Sequence, residues 1–441
     1  MNLKRLKKNF KKVLRVYKFF SKLEKIIFYV AILLLISAIG YKYFFKKSDF
    51  RIMPDRGGEL TEGIIAINNE EVDNKIQNLI GVGLVRFNEL SQIIPGVANK
   101  YEISPDGKRY KFEINNKYDP DQVIEQLKNP EASTSQLEIS REDSNIIINL
   151  SAPFGPLITD LTDPIITPGP YFVKKRDKAQ IMLESNPDFI FGNPYISKIT
   201  IKVYPDKDAL MLALKRGELL AALDIDSSYK GFNNHQLNLP RYQMLFFNLD
   251  REPWNNIENR KKFIQKQKFD NPIDLEITTT KGERQEAILE NLKKEYQDKN
   301  VIIKDKIIDD GTFENEILPN REYQSLLYGI NFGRDPDPYA FWHSSQIGPQ
   351  GQNLSKLSNS KIDKILEDTR LISDLEKRKV AYVELANKIN EFYPAVTIEQ
   401  RKINYLASSK INGIIIDQGV SFGDRFYNVW QWYIRTKKEA K

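Results

Sequence analysis

A chain of 441 residues that is 41% hydrophobic, with 24 Phe and 21 Tyr, is long enough for two or three domains with cores of their own and too apolar to be disordered. Cysteine is absent, which excludes a disulfide framework, a thiol nucleophile, a thiolate metal site and a lipidated N-terminal cysteine as a tether. The net charge of +7 is a property of one end. Residues 1–25 hold ten Lys or Arg against one Glu, and Lys42, Lys46 and Lys47 bring residues 1–47 to +12, so the remainder carries −5. A body of that balance lacks the basic, aromatic-interleaved stripe of a nucleic-acid binder.

Residues 26–45, "IIFYVAILLLISAIGYKYFF", open on Ile26 and close on Phe45 with a single charge, Lys42. At about 1.5 Å per residue such a helix crosses a hydrocarbon core of roughly 30 Å. The Lys/Arg excess before it places the N-terminus in the cytoplasm and the body outside, and Tyr29, Tyr41 and Tyr43 fall near the two interfaces. Two other readings stay open: a cleaved signal peptide, with Ala38 and Gly40 as small residues near a cleavage point, and a buried core helix. The basic stretch ahead of the span is amphipathic, suiting anionic headgroups, or is an ordinary positive flank.

Residues 46–58 read as a short tether. Beyond them "RYKFEINN" alternates with period two, and "NIIINLSAPFGPL" is a strand closed by proline and glycine turns. Residues 199–204 form a strand, Asp206 caps the helix that follows, Gly217 ends it, and a second strand completes the unit. Residues 283–308 repeat the pattern of helix and strand. Two more helices are expected at about 359–370 and 374–392, capped by Asn359 or Ser360 and by Ser373, before "AVTIEQRKINYLASSKINGIIID" returns to strands. The fold class is α/β with mixed sheets.

No catalytic constellation survives inspection. His235 and His343 are the two histidines and lie far apart. "GVSFG", residues 419–423, has the spacing of a nucleophile elbow but no histidine downstream. "DIDSSYKGFNNH", from Asp224, starts as a calcium loop but carries Tyr229 and His235 where glycine and glutamate are required. Neither a phosphate-binding lysine loop nor a G-x-G-x-x-G is present. An enzyme, a metal and a cofactor are therefore not expected.

The order of segments resembles the family 5 extracytoplasmic solute-binding proteins, the dipeptide, oligopeptide and nickel receptors of ABC importers. It is carried by "LIGVGLVRFNELSQIIPGVANKYEISPDGKRYKFEI", "ITPGPYFVKK", "LESNPDFIFGNPYISKITIKVYPDKDALMLALKRGEL", "MLFFNLDREPWNNIENRKKF" with Asn248, Pro253 and Arg260, and "DPDPYAFWHSSQ" with the two helices after it. The resemblance implies a two-lobed periplasmic-binding-protein-like fold of class II preceded by one transmembrane helix. It divides the chain into a basic cytoplasmic tail (1–25), an anchor (26–45), a tether (46–58), a first lobe (59–248, completed by 405–436) and a second lobe (249–404). The partners it implies are a peptide or other small solute and ABC permease subunits. The localisation is a single-pass cell-membrane protein with an extracytoplasmic body. A non-transporting relative, a surface sensor or scaffold, is the alternative.

By the same resemblance the stretch "YGINFGRDPDPYAFW" lines the ligand cleft. Asn331, Phe332, Gly333, Arg334 and Asp335 are expected to face Val82 and Gly83 across it, with Trp342 as an aromatic wall. Large rings after a turn also pack inward, so Phe341 and Trp342 read equally as core. Where the family places an amine-binding aspartate this chain has Arg334, with Asp335 next. On a regular strand one of the two points at the ligand: Asp335 would favour an amine, Arg334 an acid. The segment 261–275 is shorter than the resemblance implies, and so is 117–127, which alters pocket shape.

Overall fold

The structure, a computed structural model, describes residues 19–44, 50–88, 92–129, 134, 136–225, 228–416 and 419–440. Most of the basic tail, Phe45 of the expected anchor and residues 46–49 of the tether lie outside that set. Two compact units result: residues 1–54 with 436–441, and residues 55–435.

The first unit holds one helix, α1 (Lys22–Phe44), and most of a two-stranded sheet of Phe50–Asp55 with Arg435–Ala440. Among the described residues, no helix is long and apolar enough to cross a membrane. The expected span over 26–45 is thus not reproduced as such; α1 covers all but its last residue. The side chains it does describe, among them Ile26, Ile27, Leu33, Leu34, Leu35 and Ile36, are exposed.

The second unit is built on ten strands: β1 (Glu59–Ile65), β2 (Tyr171–Arg176), β3 (Gln180–Ser185), β4 (Lys198–Tyr204), β5 (Ala221–Leu223), β6 (Phe232–Phe247), β7 (Ile273–Thr280), β8 (Val301–Ile308), β9 (Ser325–Asn331) and β10 (Ala395–Ser408). They form one sheet in the order β8-β7-β9-β6-β10-β5-β1-β4-β3-β2. β1 runs parallel to β4 and β5, and β7 runs parallel to β8 and β9, while the remaining neighbours are antiparallel. The sheet is therefore mixed, as expected.

β6 and β10 pair with each other along nearly their whole length, and the chain of contacts on their two faces changes along the way. Leu237 and Leu239 of β6, and Ile403 and Tyr405 of β10, sit in a core with Leu60, Ile199, Phe426 and Trp432. Farther along β6 the side chains alternate with period two. Met244 and Phe246 pack with Leu326 and Trp342 on one face, Leu245 and Phe247 with Trp254, Phe263 and Leu275 on the other. Between these regions the register shifts from Asn238 to Tyr242. Pro240 lies inside that shift; it has no N–H for the ladder, and its carbonyl accepts from Phe332 N (3.0 Å) instead.

A separate four-stranded antiparallel sheet, Ala98–Ile103, Arg109–Ile114, Asn145–Asn149 and Glu138–Glu142 in that order, covers a further core of Tyr110, Phe112, Ile146 and Ile148. The alternation read in "RYKFEI" appears directly, each second residue being buried.

Helices sit where caps put them. α2 (Asn69–Ile80) starts at Asn68, whose side chain accepts from Glu71 N. α3 (Lys207–Lys215) is capped by Asp206 and followed by Gly217 at φ +72°. α4 (Glu283–Tyr296) leads into β8. α5 (Ser360–Arg370) is capped by Asn359, and α6 (Leu375–Asn390) by Asp374, one residue after the expected Ser373.

Candidate functional site

Past the end of β9 the chain turns at Gly333 (φ +73°, with open space where a side chain would stand) and presents Arg334 to a cavity. The empty space there measures about 500 Å³, part of it open to solvent. Its wall includes Gly81, Val82 and Gly83 after α2, Thr162 and Pro164, the rings of Phe189, Phe191, Tyr427 and Trp430, and the charged groups of Arg86, Arg334 and Asp424. Arg334, from the segment after β9, thus meets residues of 78–87, 162–170, 189–191 and 424–430 at one cavity.

Arg334 is held by two carboxylates. Its Nε donates to Asp163 (2.5 Å) and its Nη2 to Asp424 (2.9 Å). Burial alone would lower the Arg334 pKa, but the carboxylates of Asp424 and Asp163 outweigh it and raise it above the usual arginine value. Burial likewise pushes Asp424 up, yet Arg334 and the backbone N–H groups of Ser421 and Val420 bring it below the ordinary carboxylate range.

Asp335 goes elsewhere. Its carboxylate accepts from Arg378 Nη2 (2.6 Å) and Nε (3.1 Å), from Tyr382 Oη (2.5 Å) and from Thr159 Oγ1 (3.1 Å), with Arg378 wholly buried. Thr159 belongs to the four-stranded module, so this network also joins that module to β9's turn. Asp160 beside it has its carboxyl raised to about 7 by burial and by the nearby charges of Asp163 and Asp335, with Arg334 and Arg378 opposing.

Of the residues singled out in sequence, the structure brings Val82, Gly83 and Arg334 to the cavity. Phe332 packs edge-on against Tyr242 and Phe341. Trp342 and Phe341 are buried in the core beside Phe246. Asn331 is exposed at the end of β9, and its Oδ1 accepts from Gly333 N. Gly83 is required by packing: a Cβ would fall 2.4 Å from Val85 O and 2.6 Å from Thr162 O. Asp163, Asp424 and Arg86 were missed. Asp424 lies inside "GVSFGDRF", a segment whose sequence interest was a nucleophile elbow that the fold does not use.

Arg86 differs from Arg334. Its guanidinium lies 4.2 Å from the Phe191 ring centre and 5.6 Å from that of Trp430. Its one hydrogen bond, Nη1 to Tyr427 Oη, is long at 3.4 Å. Burial pushes its pKa below the usual arginine value, and Tyr427 compensates only in part. No group of three or more His, Asp or Glu able to hold a metal occurs among the described residues.

Residues 114–263 match the family model described as bacterial extracellular solute-binding proteins, family 5 middle. Over these residues the chain resembles the family 5 solute-binding proteins. The oligopeptide-binding protein AppA of Bacillus subtilis is 23% identical over 299 residues, 51% of this chain and 55% of the relative, so the match spans about half the length of that curated protein. In fold the likeness extends further than in sequence. The B. subtilis AppA structure in complex with a nonapeptide superposes with a TM-score of 0.61 at 17% identity, covering 87% of this chain and 100% of that one. A putative peptide-binding AppA from Clostridium difficile gives 0.71 at 15% identity, covering 86% and 100%. NikZ from Campylobacter jejuni, in complex with Ni(L-His), gives 0.64 at 18% identity, covering 85% and 99%. The relatives in the family are binding proteins, and their two-lobed mixed α/β fold is the fold of this chain.

Proposed function

We propose that the chain is a membrane-tethered extracytoplasmic solute receptor of an ABC importer, taking a peptide or peptide-like ligand between two lobes and delivering it to permease subunits. One observation carries this: Arg334, from the segment after β9, lines one cavity with Val82, Gly83 and Thr162. The first lobe would comprise 59–248 completed by 405–436, the second 249–404. β6 and β10, with the register shift around Pro240, supply the hinge, because a few residues there can absorb rotation while each core stays packed. Backbone groups of Asn331 and the open Gly333 turn offer an extended ligand main-chain bonds. The binding of oligopeptides by relatives supports the ligand class.

The tether is part of the same reading. α1 has 23 residues, about 35 Å of helix, with aliphatic side chains exposed around it and the basic tail before it.

A second reading, a sensor or scaffold without transport, is favoured by one observation. Arg334 already spans the cavity to Asp163 and Asp424, so closure is secured by the protein's own ion pairs. Purifying the full chain in detergent and identifying co-purified molecules by mass spectrometry, with a donor–acceptor pair of dyes on Asn68 and Glu290 reporting closure, separates the two. Ligand-dependent closure supports the receptor; closure insensitive to every added peptide supports the scaffold.

A further inference from the structure

We propose that the two-stranded sheet of the first unit, Phe50–Asp55 with Arg435–Ala440, is a second membrane contact: a basic ribbon that lies on the outer face of the bilayer and binds anionic lipid headgroups. This rests on the membrane-tether reading and extends it from the anchor to the strand 435–440.

Charge is divided between the two units. The first, residues 1–54 with 436–441, carries +14, and residues 55–435 carry −7. Of that +14, nine belong to the tail before the anchor and one to Lys42. The remaining +4 stands beyond the anchor, where Lys46, Lys47, Arg51, Lys437, Lys438 and Lys441 are set against Asp49 and Glu439. An anionic surface repels an acidic body and attracts a basic segment, so this division selects the ribbon as the part that approaches lipid.

Chain length keeps the ribbon near the bilayer. Five residues separate Phe44, the last of α1, from Phe50. Fully extended, they start the ribbon no farther than about 20 Å from the end of the helix. Strand pairing then holds Arg435–Ala440 about 5 Å from Phe50–Asp55. Lys437 and Lys438, remote from the anchor in sequence, are thereby returned to the same surface.

The ribbon's cations are unpaired. Among the described residues Arg51, Lys437 and Lys438 make no ion pair. The two edge strands of the ten-stranded sheet differ. On β8, Lys304 pairs with Asp274 and Lys306 with Glu276, and each cation of β2 has a carboxylate within ion-pair distance. The ribbon also lacks an apolar layer of its own: Arg51, Ile52 and residues 435–439 are exposed, Ile52 by 69%. Two strands alone are marginal in water. Headgroups against one side, with Ile52 at the acyl boundary, supply the missing layer. Lys437 and Lys438 leave opposite faces of their strand, and their long stems let either one reach the headgroups.

The test places the full chain in nanodiscs of phosphatidylcholine alone and of phosphatidylcholine with phosphatidylglycerol. Amide exchange is read over residues 435–440. A fluorophore on Thr436→Cys, the single thiol of that variant, reports contact by energy transfer to a headgroup dye. In the anionic discs exchange should slow by at least about 10-fold relative to the neutral ones, each Lys or Arg near such a surface being worth roughly fivefold. Energy transfer should rise with it. About 1 M salt should reverse both, as the Debye length falls to ~3 Å. K437E/K438E should abolish the difference between the lipids, and K437R/K438R should keep it. Equal exchange and transfer in the two lipids, or a difference that survives K437E/K438E, would overturn the ribbon contact and leave the anchor standing. Loss of the difference in K437R/K438R as well would show that the lysines act by packing, which also overturns it. A wild-type chain that stays in the lipid-free fraction with both compositions would overturn the anchor and the ribbon contact together.

Discussion

Arg334 and Asp335 are adjacent in the chain and are sent to different partners, one to the cavity and one to a buried arginine. The difference is measurable. Asp335→Asn leaves Arg378, wholly buried, without its counter-charge, and should lower unfolding stability by about 3–5 kcal/mol in a urea titration. Arg334→Gln removes two bridges at a site with some access to solvent. It should cost less stability and instead favour the open form, seen as a rise in the radius of gyration by small-angle scattering. If the two variants change stability equally with no change in radius, the cavity pairs do not control closure. Gly81 sets a third residue-scale expectation. A Cβ there would fall 1.9 Å from Pro164 O, so Gly81→Ala should destabilise by about 2 kcal/mol or more through forced backbone movement, and chemical denaturation reads it.

Short elements tie the four-stranded module to the turn after β9, and one of them titrates. Asp160 ends the single helical turn Leu157–Asp160, and its carboxyl is raised to about 7. An unfolded aspartate ionises near 3.9, so the native state holds the proton through the interval in which the unfolded chain has lost it. The contribution of this group to stability is therefore complete below about pH 4 and is lost as pH rises toward 7. Between pH 5 and 8 the melting temperature of Asp160→Asn should exceed that of the wild type by a growing margin. A constant difference across that range would refute the assignment. Elements of this length leave little trace in sequence. The longer ones were legible, because α3 with its Asp206 cap, α4 with β8, and the alternating "RYKFEI" each state their period within ten or so residues. Part of the cavity was legible as well, through Val82, Gly83 and Arg334. Asp163 and Asp424 were not, since they stand 171 and 90 positions from Arg334 and nothing local marks a residue for a partner so distant. Asp335 misleads for a related reason: its neighbourhood reads as a ligand site, while Arg378 and Tyr382, two turns of a later helix, claim it.

At the scale of the whole molecule the proposed membrane tether gives a clear expectation. Protease added to intact cells should digest the body and leave a fragment of residues 1 to about 45, the length a span of ~20 residues protects; a mature chain beginning near Tyr41 would show cleavage instead. The sheet that crosses both halves has a different consequence. β10 is the neighbour of both β6 and β5, and β6 lines three of the cores, so neither half has its full complement of strands until residues 395–408 have been made. Synthesis proceeds at about 5–20 residues per second, and for the time it takes to add the roughly 150 residues between β6 and β10 the nascent chain carries a long apolar strand with an open edge. The interval from the completion of β6 to the arrival of β10, some seconds to half a minute at that pace, is when this protein most needs a chaperone at the site of its emergence.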